Sequence, residues 1–360
     1  MAWPDTFQKL ARAFKKGVRP FDVTFIRENA KDRGGLKREF FTVIFEDVKK
    51  YLLCAGAGDG YTFKHDIERL KRHEFVIFGN LLGLAILYGC AGLRYLMAAV
   101  VSKMFFRKAK CRLFIHDIPD LEIQQKLIKI DIAKSETDFQ NAISDFPERF
   151  DAISKPSIKF QEKDSFVQNM IEHFIVSRCS EEIFDVASGL DIFNLNVILS
   201  CHLEEIFSEF SLGEKSKPSS EDVIKMFADV DYCQESKEIK TLQGDIFYNL
   251  TNYAQEAEDK PFILTVLQID GEVETTKQRK VTLSDFVKFI SGSRFVPSMI
   301  GKCRIKFKMP KDCDSSEHIS VSTCQLLIEI PLNKRYCVNT EQFNKAMSED
   351  ICESPGFGNQ

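Results

Sequence analysis

The sequence predicts an α+β chain: a large first part, mostly helical, and a small α/β last part joined to it by a short hinge. Three observations lead there. Apolar residues recur at helical spacing through the first two thirds, the pattern changes to period-two alternation after about residue 245, and 360 residues suffice for two domains.

The elements follow in order. In DTFQKLARAFKK, Phe7, Leu10, Ala11 and Phe14 share one face, which predicts an amphipathic docking helix with a basic outer side. The run Phe75 to Leu93, FVIFGNLLGLAILYGCAGL, carries no charge and reaches the length of a bilayer span. It also holds Asn80 and several glycines between flanks of both charge signs, so it reads as a helix apolar on all sides at the centre of a domain, and no membrane span is expected. Phe166, Met170, Ile171, Phe174 and Ile175 form one helical face, and Val197, Ile198, Cys201, Ile206 and Phe210 a second. KSKPSSEDVIKMF predicts a loop at Pro218, then Ser219 and Ser220 as capping residues of a new helix. CQESKEIKTLQGD, polar and containing Gly244, is the expected hinge, which sets domain boundaries at 1–240 and 245–360.

Beyond it, CRIKFKMP alternates Ile305, Phe307 and Met309 as a half-buried strand does, and QLLIEIP repeats the pattern until Pro331 ends it. Asn339 with Gln342 resembles a capping box, opening a helix with the stripe Phe343, Ala346, Met347 and Ile351.

Composition narrows the function classes. A net charge of −4 with interspersed signs lacks the basic face of a nucleic-acid binder. The 11 cysteines contain no Cys-x-x-Cys, which argues against a zinc site or a dithiol redox pair. Their odd number, with no secretory leader at the start, predicts reduced thiols in the cytoplasm, the nucleus or both. Gly34 and Gly35 lack the strand-to-helix loop and following Lys-Ser or Lys-Thr of a phosphate cradle, and read as backbone accommodations. Cys324, in EHISVSTCQLLIEIP, lies at a loop-to-strand junction, a better setting for an exposed thiolate than the apolar runs around Cys90 and Cys201.

Several stretches, in order along the chain, resemble the HECT ubiquitin ligases. Asp32, Gly34, Gly35, Leu36, Arg38, Glu39, Phe40 and Phe41 match the signature Asp-x-Gly-Gly-Leu-x-Arg-Glu-Trp-Phe with only the tryptophan altered. FGNLLGLAI is similar to the Phe-x-Gly-x-x-Gly-x-Ala helix of the large lobe, LSDFVKFISGSRFVP to the opening of the C-lobe, STCQLLIEIP to the Thr-Cys strand, and GFGNQ to the family's terminus. DIPDLEIQQKLIKIDIA and the compact middle look closest to the G2/M-phase-specific branch of that family.

The resemblance implies a bilobal HECT-like fold, residues 1–240 being the N-lobe and 245–360 the C-lobe. It implies an enzyme that receives ubiquitin from a conjugating enzyme as a thioester on Cys324 and passes it to a lysine of a protein substrate. No metal or organic cofactor is implied. Thr323 would lie beside the nucleophile, either bonding the thiolate or thioester carbonyl or only satisfying the turn, and Phe357 would anchor the tail across the lobes during transfer.

Two departures stand out. Ser322 occupies the place where the family usually has His, and serine cannot act as an imidazole base. His318, four residues earlier, is the candidate substitute, but it reads as a solvated loop residue. Residues 112–165 are short and polar with helix-like pieces and little strand pattern, which implies a reduced surface for the conjugating enzyme. These departures motivate the alternative of a catalytically weak or inactive HECT-like interaction module.

Overall fold

The computed structural model describes the whole chain except residues 1–2, 15–16, 20, 24–34, 57–59, 91–92, 106–110, 153–156, 213–216, 228, 233–235, 271–272, 297–301, 310–316, 324 and 354–360. The fold is mixed α+β. The chain divides into two compact units: Met1–Pro20, Val43–Leu87 and Gly92–Ser216 form the first, and Phe21–Thr42, Tyr88–Ala91 and Lys217–Gln360 the second.

The first unit opens with α1 (Trp3–Phe14) and takes α2 (Gly35–Leu52) from Val43 onward. A small antiparallel pair, β1 (Leu53–Ala55) and β2 (Tyr61–Phe63), is followed by α3 (Ile67–Lys71), α4 (Glu74–Leu87), α5 (Ala98–Met104), α6 (Leu121–Asp131) and α7 (Glu136–Ser144). Then come α8 (Lys163–Ile175), α9 (Ser180–Leu190), α10 (Leu195–Cys201) and α11 (Leu203–Phe210).

Helix α4 is the uncharged run read from sequence, and it is buried on all sides: Phe75, Phe78, Leu81, Leu82 and Leu84 are all inaccessible. Its glycines serve packing. A Cβ on Gly79 would stand 2.2 Å from the Val186 carbonyl oxygen, and one on Gly189 would stand 2.1 Å from that of Val76. Only residues without a side chain let α4 and α9 touch backbone to backbone. Among the described residues, no helix is long and apolar enough to cross a membrane.

Helix α1 docks against α4 with the face expected, and Trp3 extends that face by a turn. The Trp3 indole Nε1 donates to Glu74 Oε2 at 2.9 Å, its backbone N–H donates to Asp47, and its ring meets Phe78 edge-on. The face 166–175 is also as read, with Phe166, Met170, Ile171, Phe174 and Ile175 buried on α8.

The second expected face is corrected in part: Phe210 is buried as read, the Ile206 side chain lies outside the described residues, and the residues of α10 differ. The chain leaves helical geometry at His202, between α10 and α11, and this break resets the helical phase. Leu195 and Leu199 therefore point inward, while Val197 and Ile198 are 68% and 58% exposed and Cys201 is exposed too. The described residues of 112–165 form α6, α7, short 3₁₀ turns and the start of α8, with no strand among them.

The second unit contains α12 (Ser220–Met226), β3 (Asp229–Asp231), α13 (Lys237–Asp259), β4 (Phe262–Asp270), β5 (Val273–Val281), α14 (Leu283–Ser291), β6 (Arg304–Lys308), β7 (Ser320–Ser322), β8 (Leu327–Pro331) and α15 (Thr340–Glu353). Its four-stranded sheet runs β3-β6-β8-β7, with β6 parallel to β3 and β8, and β7 antiparallel to β8.

Period-two alternation turns Ile305 and Phe307 of β6, and Ile328 and Ile330 of β8, into a core completed by Phe286, Ile290, Leu250, Tyr253, Phe343 and Met347. Ser219 caps α12 as read, accepting from the Asp222 N–H at 3.1 Å, and Asn339 Oδ1 accepts from the Gln342 N–H at 3.0 Å at the start of α15. Met309 lies past the end of β6 and is exposed.

Of the expected hinge, residues 233–235 lie outside the described residues and the stretch is helical from Lys237 on. The main chain boundary between units falls at Ser216–Lys217, and Lys237–Asp245 are the first turns of α13, where Gly244 has open space around it. A polar stretch reads as a linker, but here Ile246, Leu250, Tyr253 and Ala254 further along the same helix carry it against the core. The nine-residue strands β4 and β5, paired from Phe262↔Val281 to Asp270↔Val273, are an element the sequence reading missed.

Candidate active site

The candidate site is the turn between β7 and β8. Ser322 pairs with Leu327 across the two strands, and the Ser322 carbonyl accepts from the Gln325 N–H at 3.1 Å, so the chain reverses within four residues. Leu326 takes a left-handed backbone (φ 49°) and its carbonyl accepts from the Arg304 N–H at 2.8 Å, which fixes the turn to β6. Cys324 and Phe357 lie outside the described residues, as do Asp32 and Gly34. Thr323 and Ser322 are described, and both are half-buried.

The Thr323 carbonyl accepts from Arg38 Nη2 at 2.5 Å, while Arg38 Nε donates to the Ser291 carbonyl at 2.8 Å. One turn further along α2, the Thr42 hydroxyl donates to the Gly292 carbonyl at 3.0 Å. Arg38 and Thr42 share a helix face because they are four residues apart. Gly292 sits at φ 76°, the left-handed conformation that ends α14 and turns these carbonyls outward. A planar guanidinium can hold two carbonyls at fixed directions, which a lysine cannot. All these residues belong to the second unit. The Thr323 hydroxyl makes no hydrogen bond to a described residue.

His318 does not join this turn. Its Nδ1 lies 2.7 Å from Asp350 Oδ1, and Asp350 is buried. Asp350 also accepts from Arg335 Nη2 at 3.1 Å, from the Tyr336 hydroxyl and from the Ile319 N–H. The imidazole is exposed in a loop, as read, and is anchored there by Asp350. It stands just before β7, at the opposite end of that strand from Thr323, up to about 16 Å away at roughly 3.3 Å per extended residue. Its described partners are Asp350 and Glu353, not residues of the turn.

Five of the other cysteines are poor nucleophiles. Burial pushes the Cys54 thiol up to about 11 and those of Cys179 and Cys303 up to about 12, and it raises Cys337 and Cys352 as well. A thiol held protonated at neutral pH does not attack. Cys201, read from sequence as embedded in an apolar run, is instead exposed on α10. Among the described residues, no three His, Cys, Asp or Glu side chains converge to hold a metal ion.

Arg38, which sequence reasoning named only as a motif member, is the side chain that ties this turn to the end of α14. Its partners lie more than 250 residues away, and no local pattern announces a contact at that separation. No family model matches this chain, and no curated protein matches it.

Proposed function

We propose that the chain is a HECT-type ubiquitin-protein transferase in which Cys324 carries ubiquitin as a thioester. One observation carries the reading. Three stretches that resemble the family separately, GGLKREFF, FISGS and STC, meet through Arg38, which bonds the Ser291 and Thr323 carbonyls.

In the proposed reaction the Cys324 thiolate attacks the carbonyl carbon of a ubiquitin thioester on a conjugating enzyme. A carbon–sulfur bond forms to Cys324 as the conjugating enzyme's bond breaks and its thiolate departs. A substrate lysine, as the free amine, then attacks the new thioester, loses a proton and releases the Cys324 thiolate. Arg38 puts a fixed positive charge on the peptide leading into Cys324, and a nearby cation favours the thiolate. That charge stands in for the imidazole that Ser322 does not supply. Phe357 would anchor the tail during transfer, and the Thr323 hydroxyl would bond the thioester carbonyl.

The test is a charging reaction with ubiquitin, activating enzyme and a panel of conjugating enzymes. A thiol-sensitive ubiquitin adduct is expected, absent in Cys324→Ala, and no adduct with any conjugating enzyme sinks the proposal. Arg38→Gln is expected to raise the pH midpoint of Cys324 alkylation by about half to one unit, while Arg38→Lys holds it nearer the parent. A second reading, a HECT-like interaction module without transfer, is favoured by the position of His318 at the far end of β7. It predicts partner binding and cellular activity that survive Cys324→Ala.

A further inference from the structure

A groove in the second unit lies between the ribbon β4–β5, the end of α13 and one face of α15, with a volume of about 1130 Å³. Two features define its walls. From β4, the consecutive residues Phe262, Ile263, Leu264 and Thr265 all border it, although Phe262 and Leu264 face inward and Ile263 and Thr265 outward. Successive side chains of a strand point to opposite sides, so a cavity that meets four in a row meets the strand's edge. From the described side chains of β5, the half-buried Arg279 reaches it. β4 pairs with β5 alone, and its other edge has no backbone partner among the described residues.

The opposite wall is a ladder on α15. Asn344, Ser348 and Cys352 form a buried row of small side chains, with the charged residues Lys345, Glu349 and Glu353 beside them. Arg279 ties ribbon to helix by donating from Nη1 to the Cys352 carbonyl at 3.4 Å, and the stacked rings of Phe262 and Tyr253 hold the start of β4 on α13. An unpaired strand edge facing a helix across a groove is the arrangement in which an extended peptide adds a strand and lays alternate side chains against the helix. The length of edge on the groove, four residues, spans about 13 Å and fits four or five peptide residues.

The charges choose the peptide. Glu256 already accepts from the amides of Asn252 (2.6 Å) and Asn344 (2.9 Å), Glu349 from Arg335 (2.9 Å), and Glu353 lies 3.9 Å from His318. Lys260 and Lys345 are exposed on the rim with no side-chain partner among the described residues, and Glu341 is the one rim carboxylate in the same condition. We propose that this groove binds an extended peptide segment by strand addition to β4, with an acidic peptide side chain held by Lys260 and Lys345. The groove would recruit a protein substrate or partner, and it does not depend on the reactivity of Cys324.

The test uses the full chain carrying Cys324→Ala, so that failure of transfer chemistry and failure of this proposal separate. Three degenerate libraries of eight-residue peptides, with a fixed central Glu, Gln or Lys, are passed over the immobilised protein. The Glu library is expected to be retained at least tenfold over the Lys library, with amide exchange slowed at Phe262–Thr265. The exposed double variant Lys260→Glu, Lys345→Glu, checked for an unchanged circular dichroism spectrum, is expected to invert the preference. Equal retention of the three libraries, retention untouched by the double variant, or protection of amides away from β4 overturns the proposal. So does concentration-dependent self-association that protects the same amides, which would make a second copy the occupant.

Discussion

Glu74 in the first unit and Asp350 in the second are both carboxylates taken out of water, and their partners differ in kind. Glu74 is held by Arg69 Nη1 at 2.7 Å, Arg72 Nη2 at 2.8 Å and the Trp3 indole, so a charged pair of guanidiniums and one aromatic donor tie α1 and α3 to the start of α4. Asp350 has one guanidinium, Arg335, together with a tyrosine hydroxyl, a backbone amide and the His318 imidazole. The first cluster fastens helix to helix. The second fastens α15 to the strand end that leads into the candidate site. A histidine bound to a carboxylate looks catalytic in isolation, yet here the carboxylate is the anchor and the imidazole one of its four ties.

Removing either carboxylate is the largest way to break the comparison. Glu74→Ala and Asp350→Ala each leave buried donors unpaired and are expected to cost on the order of 3–5 kcal/mol in denaturant unfolding. Hydrogen exchange should separate them: Glu74→Ala loosens α1 and α4, Asp350→Ala loosens α15 and β7. Equal loosening of both units by either variant would show that the clusters are not local clamps.

A smaller effect is expected from Trp3→Phe, which keeps an aromatic ring against Phe78 but removes the indole donor. It should cost about 1–2 kcal/mol, read as a shift in the unfolding midpoint, because the two arginines still hold Glu74. Tyr336→Phe is its counterpart in the second unit, with a cost of similar size from losing the hydroxyl that bonds Asp350 and the Ile319 N–H.

The smallest effect is on pH dependence. Burial lowers His173 below its ordinary value of 6.5, and its Nε2 is buried without a partner. The folded first unit therefore favours neutral imidazole, so its stability is full above about pH 6.5 and declines as pH falls through the window beneath. In the second unit, the Lys308 ammonium beside Glu329 lowers that carboxyl, so its contribution is present above the ordinary value near 4.5 and is lost only at more acid pH. Melting followed between pH 7 and pH 5 should show the first unit weakening first, and His173→Gln should flatten that slope.

What could be read in advance is instructive residue by residue. Ser219, Asn339 and the stripe Phe343, Ala346, Met347 and Ile351 were legible because capping and helical periodicity are local properties. So were Ile305, Phe307, Ile328 and Ile330, whose alternation is imposed by the strand itself. Val197 and Ile198 misled because the break at His202 shifts the phase, and a phase shift cannot be seen in a list of apolar residues. The polar residues 237–245 misled because composition resembles a linker, while the apolar turns that follow hold the same helix in place. The β4–β5 ribbon was missed although the sequence carries Asp270 followed by Gly271 between its strands, since the run of charged and polar residues on β5 resembles a solvated loop.

At the candidate site, sequence by itself singled out Cys324, Thr323 and the serine at 322, because motif order and residue chemistry are written along the chain. It also fixed the apolar character of α4 and the strand pattern around the turn. Tertiary structure alone decided that Gly79 and Gly189 bring two helix backbones into contact, that His318 is tied to Asp350 away from the turn, and that Arg38 grips the Ser291 and Thr323 carbonyls. The physical reason is the range of the forces. Propensity, capping and periodicity act within a few residues, whereas a hydrogen bond between positions 38 and 323 exists only after packing has removed the water that both groups would otherwise bind.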